Sequence, residues 1–168
     1  MSTKKMIMPT LVLMIICIII SGALVFVNAV TKDAIEETNR KTLNDTLVSA
    51  FGEGEYTETD KTYEGVDSII SGEDGLTVYE ITTDGYNSGG IHVLVGIKDG
   101  EVAGVSFVSC GETPGLGTKV NDESYLKSYT GLKSEDEVTD ADAVTGATFS
   151  SNGLKTAVRL ALAADKEA

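Results

Sequence analysis

Two short stretches of this chain carry residues able to do chemistry. The first is Asp142-Ala143-Val144-Thr145-Gly146-Ala147-Thr148-Phe149-Ser150-Ser151. It places four hydroxyls, one glycine and one carboxylate within ten residues. Small residues leave the backbone accessible, and the hydroxyls either donate to a phosphate or are esterified by one. No cation follows before Lys155. A phosphate beside Thr148 therefore depends on backbone N–H groups and on the positive end of the helix that follows. The plainer reading is a turn leading into a helix cap, and the residues alone leave both open.

The second stretch is Gly111-Glu112-Thr113-Pro114-Gly115-Leu116-Gly117. Proline followed by glycine is the central pair of a type II turn, where glycine supplies the positive φ. Two glycines let a flat ligand or another backbone approach closely. Glu112 and Thr113 add an acceptor and a hydroxyl. The plainer reading is a turn leaving a strand.

These stretches need elements to hold them. Leu154, Ala157, Val158, Ala161 and Leu162 recur at helical spacing, which predicts a helix from Ser150 or Ser151 to about Lys166, with a serine as its N-cap. Upstream, residues 76–82, 91–98 and 101–110 are apolar and β-branched. They predict three strands, the last two joined by an Asp99-Gly100 hairpin turn. Residues 84–90 are a loop of turn formers. Residues 53–75 read as an acidic surface excursion with a short helix around 66–70. Residues 121–129 read as a short helix carrying Tyr125, Leu126 and Tyr129, and residues 131–141 as an acidic loop. The fold class is α+β: a twisted antiparallel sheet of at least three strands with flanking helices.

Residues 7–30 contain no charge. As a helix they cover ~36 Å, against a hydrocarbon core of ~30 Å, with Pro9 expected in the first turn. A signal peptide has an apolar region of only ~7–15 residues, so this segment reads as an uncleaved anchor. Lys4 and Lys5 precede it, which favours a cytoplasmic N-terminus and an external domain. Residues 31–51 continue as a helix, with Ile35, Leu43, Leu47, Val48 and Phe51 on or near one face. The expected organisation is 1–30 cytoplasmic tip and transmembrane anchor, 31–51 helical stalk, and 52–168 extracytoplasmic domain.

Composition narrows the function. The formal net charge is −13, and of 13 basic residues two precede the anchor, leaving 11 against 26 acids. Such a surface repels nucleic acid. Cys17 lies in the apolar run and Cys110 in the domain, so they are not expected to pair. The one histidine, His92, reads as structural. No Cys/His cluster has metal-ligand spacing, and no residue set looks catalytic in the acid–base sense.

Asp142-x-x-Thr145-Gly146-Ala147-Thr148 resembles the flavinylation motif of the covalent FMN-binding domain family. Glu112-Thr113-Pro114-Gly115-Leu116-Gly117 resembles that family's second signature. Their order and spacing behind one anchor are similar to the G subunit of Rnf-type ion-translocating ferredoxin:NAD oxidoreductases. The C subunit of the sodium-pumping NADH:quinone oxidoreductase is also similar but usually longer.

The resemblance implies that the Thr148 oxygen is esterified to the FMN phosphate, and that Asp142 helps a flavin transferase recognise the segment. It implies that Thr145, Gly146 and Ala147 shape the segment, with Ser150 and Ser151 beside the cofactor. It further implies that Glu112, Thr113, Pro114, Gly115, Leu116 and Gly117 line the flavin. Ser150 is a second hydroxyl close to Thr148 and a competitor for attachment. The implied role is electron relay among other membrane subunits, without independent catalysis. The alternatives are a free-standing extracytoplasmic flavoprotein, a flavin-binding sensor, and a structural surface protein on a membrane stalk in which Thr148 is only a helix cap.

Overall fold

The computed structural model describes residues 3–167. The chain divides into two compact units, Met1–Thr42 and Leu43–Ala168. The described residues of the first are all helical. Helix α1, Thr3–Phe51, is continuous, and its last turns belong to the second unit. It is the one helix among the described residues long and apolar enough to cross a membrane, and none of its apolar window is buried. Because α1 begins at Thr3, Pro9 lies inside it and not in its first turn.

The second unit is built on a five-stranded antiparallel sheet of order β1-β2-β3-β4-β5. The strands are β1 Thr57–Thr59, β2 Ser68–Ser71, β3 Leu76–Thr83, β4 Ile91–Lys98 and β5 Glu101–Cys110. Two short helices and one long one follow it: α2 Glu123–Leu126, α3 Glu135–Asp140 and α4 Thr148–Glu167, with 3-10 turns at Glu73–Gly75, Gly117–Asn121 and Lys127–Tyr129. Tyr79, Ile81, Ile91, Val93, Val95 and Ile97 pack on the apolar face of α4, through Leu154, Ala157, Val158, Ala161 and Leu162. On the other face, Ile70, Val78 and Leu94 pack with Leu43, Leu47 and Phe51 from the end of α1. Side chains alternate across a pleated strand. A sheet covered on both faces therefore needs a near-continuous apolar β4, which its sequence supplies.

The expected strands and hairpin are present. Asp99 and Gly100 both have positive φ, 54° and 76°, as a two-residue type I′ turn requires. Three further expectations fail. The segment around 66–70 is not helical: β2 pairs with β3 in the register Ile69↔Tyr79 and Ile70↔Val78. The two isoleucines bury themselves on opposite faces of the sheet, Ile69 toward α4 and Ile70 toward α1. Residues 131–141 are not all loop, because α3 forms there. The Ser134 hydroxyl accepts from Glu137 N–H at 3.3 Å, and Glu137 reaches back to Lys133 N–H at 2.7 Å. Three acids in that first turn suit the helix dipole. Finally, α4 starts at Thr148, before both serines. Of the expected stalk face, Leu43, Leu47 and Phe51 are packed, whereas Ile35 and Val48 are exposed.

Candidate functional site

Both stretches fold into the same kind of turn. In Thr113-Pro114-Gly115-Leu116, Leu116 N–H donates to Thr113 C=O at 3.2 Å and Gly115 has φ 75°. In Val144-Thr145-Gly146-Ala147, Ala147 N–H donates to Val144 C=O at 2.9 Å and Gly146 has φ 82°. Positive φ at the third position alone defines type II and calls for glycine. The second turn delivers the chain into α4. Ala147 takes the cap position, since its carbonyl accepts the first helical bond, from Ser151 N–H at 2.8 Å. The N–H groups of Thr148, Phe149 and Ser150 precede that bond and have no intrahelical acceptor.

The two turns meet. A Cβ on Gly146 would stand 3.8 Å from Leu116 Cδ2, and one on Gly117 would stand 2.7 Å from Ser150 Oγ. The serines expected to cap α4 face inward and are buried. Ser151 Oγ accepts from Val144 N–H at 3.0 Å. The Ser150 hydroxyl donates to Glu112 Oε2. Glu112 is also buried, only 4 % exposed. It accepts from Tyr86 N–H at 3.0 Å and Asn87 N–H at 3.1 Å. Burial pushes its carboxyl up, but the bonds from Ser150, Tyr86 and Asn87 together outweigh burial and hold it below the usual carboxylate range.

Above this layer lies a cleft of about 330 Å³, lined by Tyr86, Thr113, Leu116, Gly117, Gly146, Ala147, Thr148, Phe149 and Ser150. No charged side chain lines it. Tyr86 and Phe149 stand at its rim, 70 % and 68 % exposed. Their rings meet edge to face at a centroid distance of 6.3 Å. Thr148 is exposed at the same edge. A small, uncharged cleft with exposed aromatics suits a flat ring system. Free N–H groups at the start of a twenty-residue helix suit a phosphate beside it.

Of the residues singled out in the sequence, Thr148, Gly146, Ala147, Ser150, Thr113, Leu116 and Gly117 line the cleft. Thr145, Pro114 and Gly115 form the exposed tips of the turns. Glu112 and Ser151 lie beneath the cleft. Asp142 borders a separate groove with Tyr125, Glu137 and Asp140, and its carbonyl accepts from the Tyr125 hydroxyl at 3.1 Å. Lys155 Nζ donates to Thr139 C=O at 3.0 Å and also to Ala141 C=O.

The loop of residues 84–90 was not singled out in the sequence, yet it forms one wall. Asp84 braces it, accepting from Gly89 N–H at 2.7 Å and Ser88 Oγ at 2.9 Å. Asn87 Nδ2 ties it to Gly111 C=O at 2.6 Å. The available signal was Tyr86, a large aromatic among turn formers.

Residues 85–163 match the sequence profile of the family described as FMN-binding domain, an interval that contains every residue lining the cleft. The chain is similar to the G subunit of the Na+-translocating ferredoxin:NAD+ oxidoreductase complex of Acetobacterium woodii. The two are 30 % identical over 100 residues, covering 52 % of this chain and 47 % of that one. The G subunit of the ion-translocating oxidoreductase complex of Shewanella oneidensis is 37 % identical over 100 residues, with 52 % and 47 % covered. The corresponding G subunit of Shewanella piezotolerans is 27 % identical over 188 residues, with 94 % and 88 % covered. The matched stretch spans about half the length of the first two relatives. Residues 85–163 thus match an FMN-binding domain, in a chain related to these G subunits and carrying a helix able to span a membrane.

Proposed function

We propose, from the premise that residues 85–163 form an FMN-binding domain, that the chain is a membrane-anchored electron-relay subunit of an Rnf-type ion-translocating complex. Its FMN is held covalently, through a phosphodiester to Thr148. The observation that carries this reading is the exposed residue Thr148 in the lining of an uncharged cleft, on the first turn of α4.

Each wall has a task in this reading. The N–H groups of Thr148, Phe149 and Ser150 face the phosphate and neutralise part of its charge without a cation. Gly117, Gly146 and Ala147 leave room for a ring to lie against the backbone. Tyr86, Leu116 and Phe149 cover the ring's apolar surface. In attachment, Thr148 would give up its hydroxyl proton to solvent and its oxygen would form the new P–O bond. A flavin dinucleotide donor, cleaved at its pyrophosphate with release of the nucleoside monophosphate, balances that step. Asp142, outside the cleft, is left for recognition by the flavin transferase. Bound there, FMN supplies one- or two-electron transfer through its ring, and the protein supplies position and electrostatics.

The relatives named above are G subunits, which favours this reading over a C subunit. Residues 1–30 are then the cytoplasmic tip and anchor, and the FMN domain is extracytoplasmic. Ser21-Gly22-Ala23 gives the anchor a small-residue patch for packing on other membrane subunits. The test is affinity purification of the full chain from its own membranes. Co-purifying integral subunits, with flavin that is bleached by reduced ferredoxin or NADH only in the complex, support the relay. A chain that purifies alone with redox-silent flavin contradicts it.

A further inference from the structure

We propose that Glu112 is the positioning residue of the cleft, a buried clamp that holds three separate chain segments in register and acts on the flavin only through them. The proposal rests on the reading that the cleft holds FMN, but its clamp is testable without the cofactor.

One carboxylate joins all three walls. It belongs to the loop after β5. It accepts from Tyr86 N–H and Asn87 N–H in the loop after β3, and from the Ser150 hydroxyl in the first turn of α4. These partners lie 26, 25 and 38 residues away in sequence. The surroundings are shaped to enclose it. A Cβ on Gly85 would stand 2.6 Å from Glu112 Oε1, one on Gly90 2.1 Å from the same oxygen, and one on Gly117 2.8 Å from Oε2. A methyl group at any of the three displaces the carboxylate. A glutamate meant to touch the ligand needs an open face, and this one is sealed by glycines and donors on all sides.

The chemistry explains why the residue is an acid. Three donors converge on it, and an ionised carboxylate is acceptor-only. Glutamine has nearly the same shape but brings two N–H donors of its own, so at least one of the three bonds is lost. The segments then freed are those that carry Tyr86 and Ser150, both in the cleft wall. Phe149 and Thr148 share the α4 turn that Ser150 anchors.

The experiment uses the full chain in detergent. In the flavin-free Thr148→Ala protein, hydrogen exchange at the Tyr86 and Asn87 amides is compared with and without Glu112→Gln. Loss of about ten-fold or more in protection is expected, the size of one lost charge-assisted bond. In protein loaded with flavin at Thr148, fluorescence anisotropy and iodide quenching are read per bound flavin. Glu112→Gln should lower the anisotropy and raise the quenching, and Ser150→Ala, which keeps the backbone arm, should do so less.

Unchanged amide protection together with unchanged anisotropy overturns the proposal. If Glu112→Gln does not fold, the shorter Glu112→Asp carries the same comparison, and Ser150→Ala carries the anisotropy and quenching readouts alone, since it leaves the Tyr86 and Asn87 bonds in place. A wild-type protein without covalent flavin contradicts the functional reading instead, and the amide exchange still decides the clamp.

Discussion

The ring of Phe51 lies over Gly96, where a Cβ would stand only 2.4 Å from Phe51 Cε1. Gly96 pairs with Gly104 across β4 and β5, and a Cβ on Gly104 would stand 3.5 Å from the same carbon. Two facing glycines thus make the slot that seats the end of α1 on the sheet. Gly96→Ala should destabilise the domain by about 1–3 kcal/mol through overpacking. In a Phe51→Ala background the same change should be nearly neutral. A double-mutant cycle in urea measures the coupling, and strictly additive effects would contradict this packing.

Glu80 makes the acid limb of stability pH-dependent. His92 Nε2 lies 2.9 Å from one of its oxygens, and Ser68 Oγ donates to the other at 2.6 Å. The bond with His92 is the largest influence. With Ser68 it outweighs desolvation and holds the carboxyl below its ordinary range. A depressed carboxyl contributes stability present above its unfolded value, about 4.3, and lost as pH falls through the folded value. Glu80→Gln should therefore be less stable than wild type near about pH 6, with the gap closing below about pH 4. Unfolding curves across that range check it, and a gap independent of pH would count against it.

Lys155 is the nearest cation downstream of Thr148, and it is committed to the backbone carbonyls of Thr139 and Ala141. Lys155→Met should lose about 1–3 kcal/mol of stability. The folded protein should still take up one flavin per chain, because the phosphate relies on helix N–H groups. Normal stability with failed loading would instead make Lys155 a phosphate ligand.

Tyr86 and Phe149 should grip a flavin ring even without the ester. Aromatic pairs contribute about 0.5–1.5 kcal/mol beyond area burial. Phe149→Ala in the Thr148→Ala protein should therefore weaken binding of free riboflavin roughly 2- to 10-fold. Fluorescence titration reads this directly, and equal affinity would remove Phe149 from the ring's surroundings.

Much of this architecture was legible in the chain. Strands β3 to β5 and their turn follow from β-branched runs and the Asp99-Gly100 pair. The apolar face of α4 and the docking residues Leu43, Leu47 and Phe51 follow from helical spacing. Strand β2 was not legible, because a short apolar pair such as Ile69-Ile70 has no periodicity to separate strand from helix. Helix α3 was hidden by its acids, although Ser134 and Glu137 stand at capping-box spacing. The start of α4 was misplaced because serines are common caps, whereas Ser150 and Ser151 spend their hydroxyls on Glu112 and on Val144 N–H. The motif residues were visible, but not that Glu112 lies beneath the cleft. Its partners Tyr86, Asn87 and Ser150 are distant in sequence, and only the sheet brings them together.

The burial of Ser150 bears on the central claim, that Thr148 carries the flavin. The most direct measurement is the intact mass and in-gel flavin fluorescence of denatured protein, made with its membrane targeting and an active flavin transferase. Wild type is compared with Thr148→Ala and Ser150→Ala. The account predicts a gain of one FMN less one water in wild type and in Ser150→Ala, surviving denaturation, and no gain in Thr148→Ala. Retention of the flavin in Thr148→Ala, or its absence from all three proteins while a control substrate is loaded, would contradict the account.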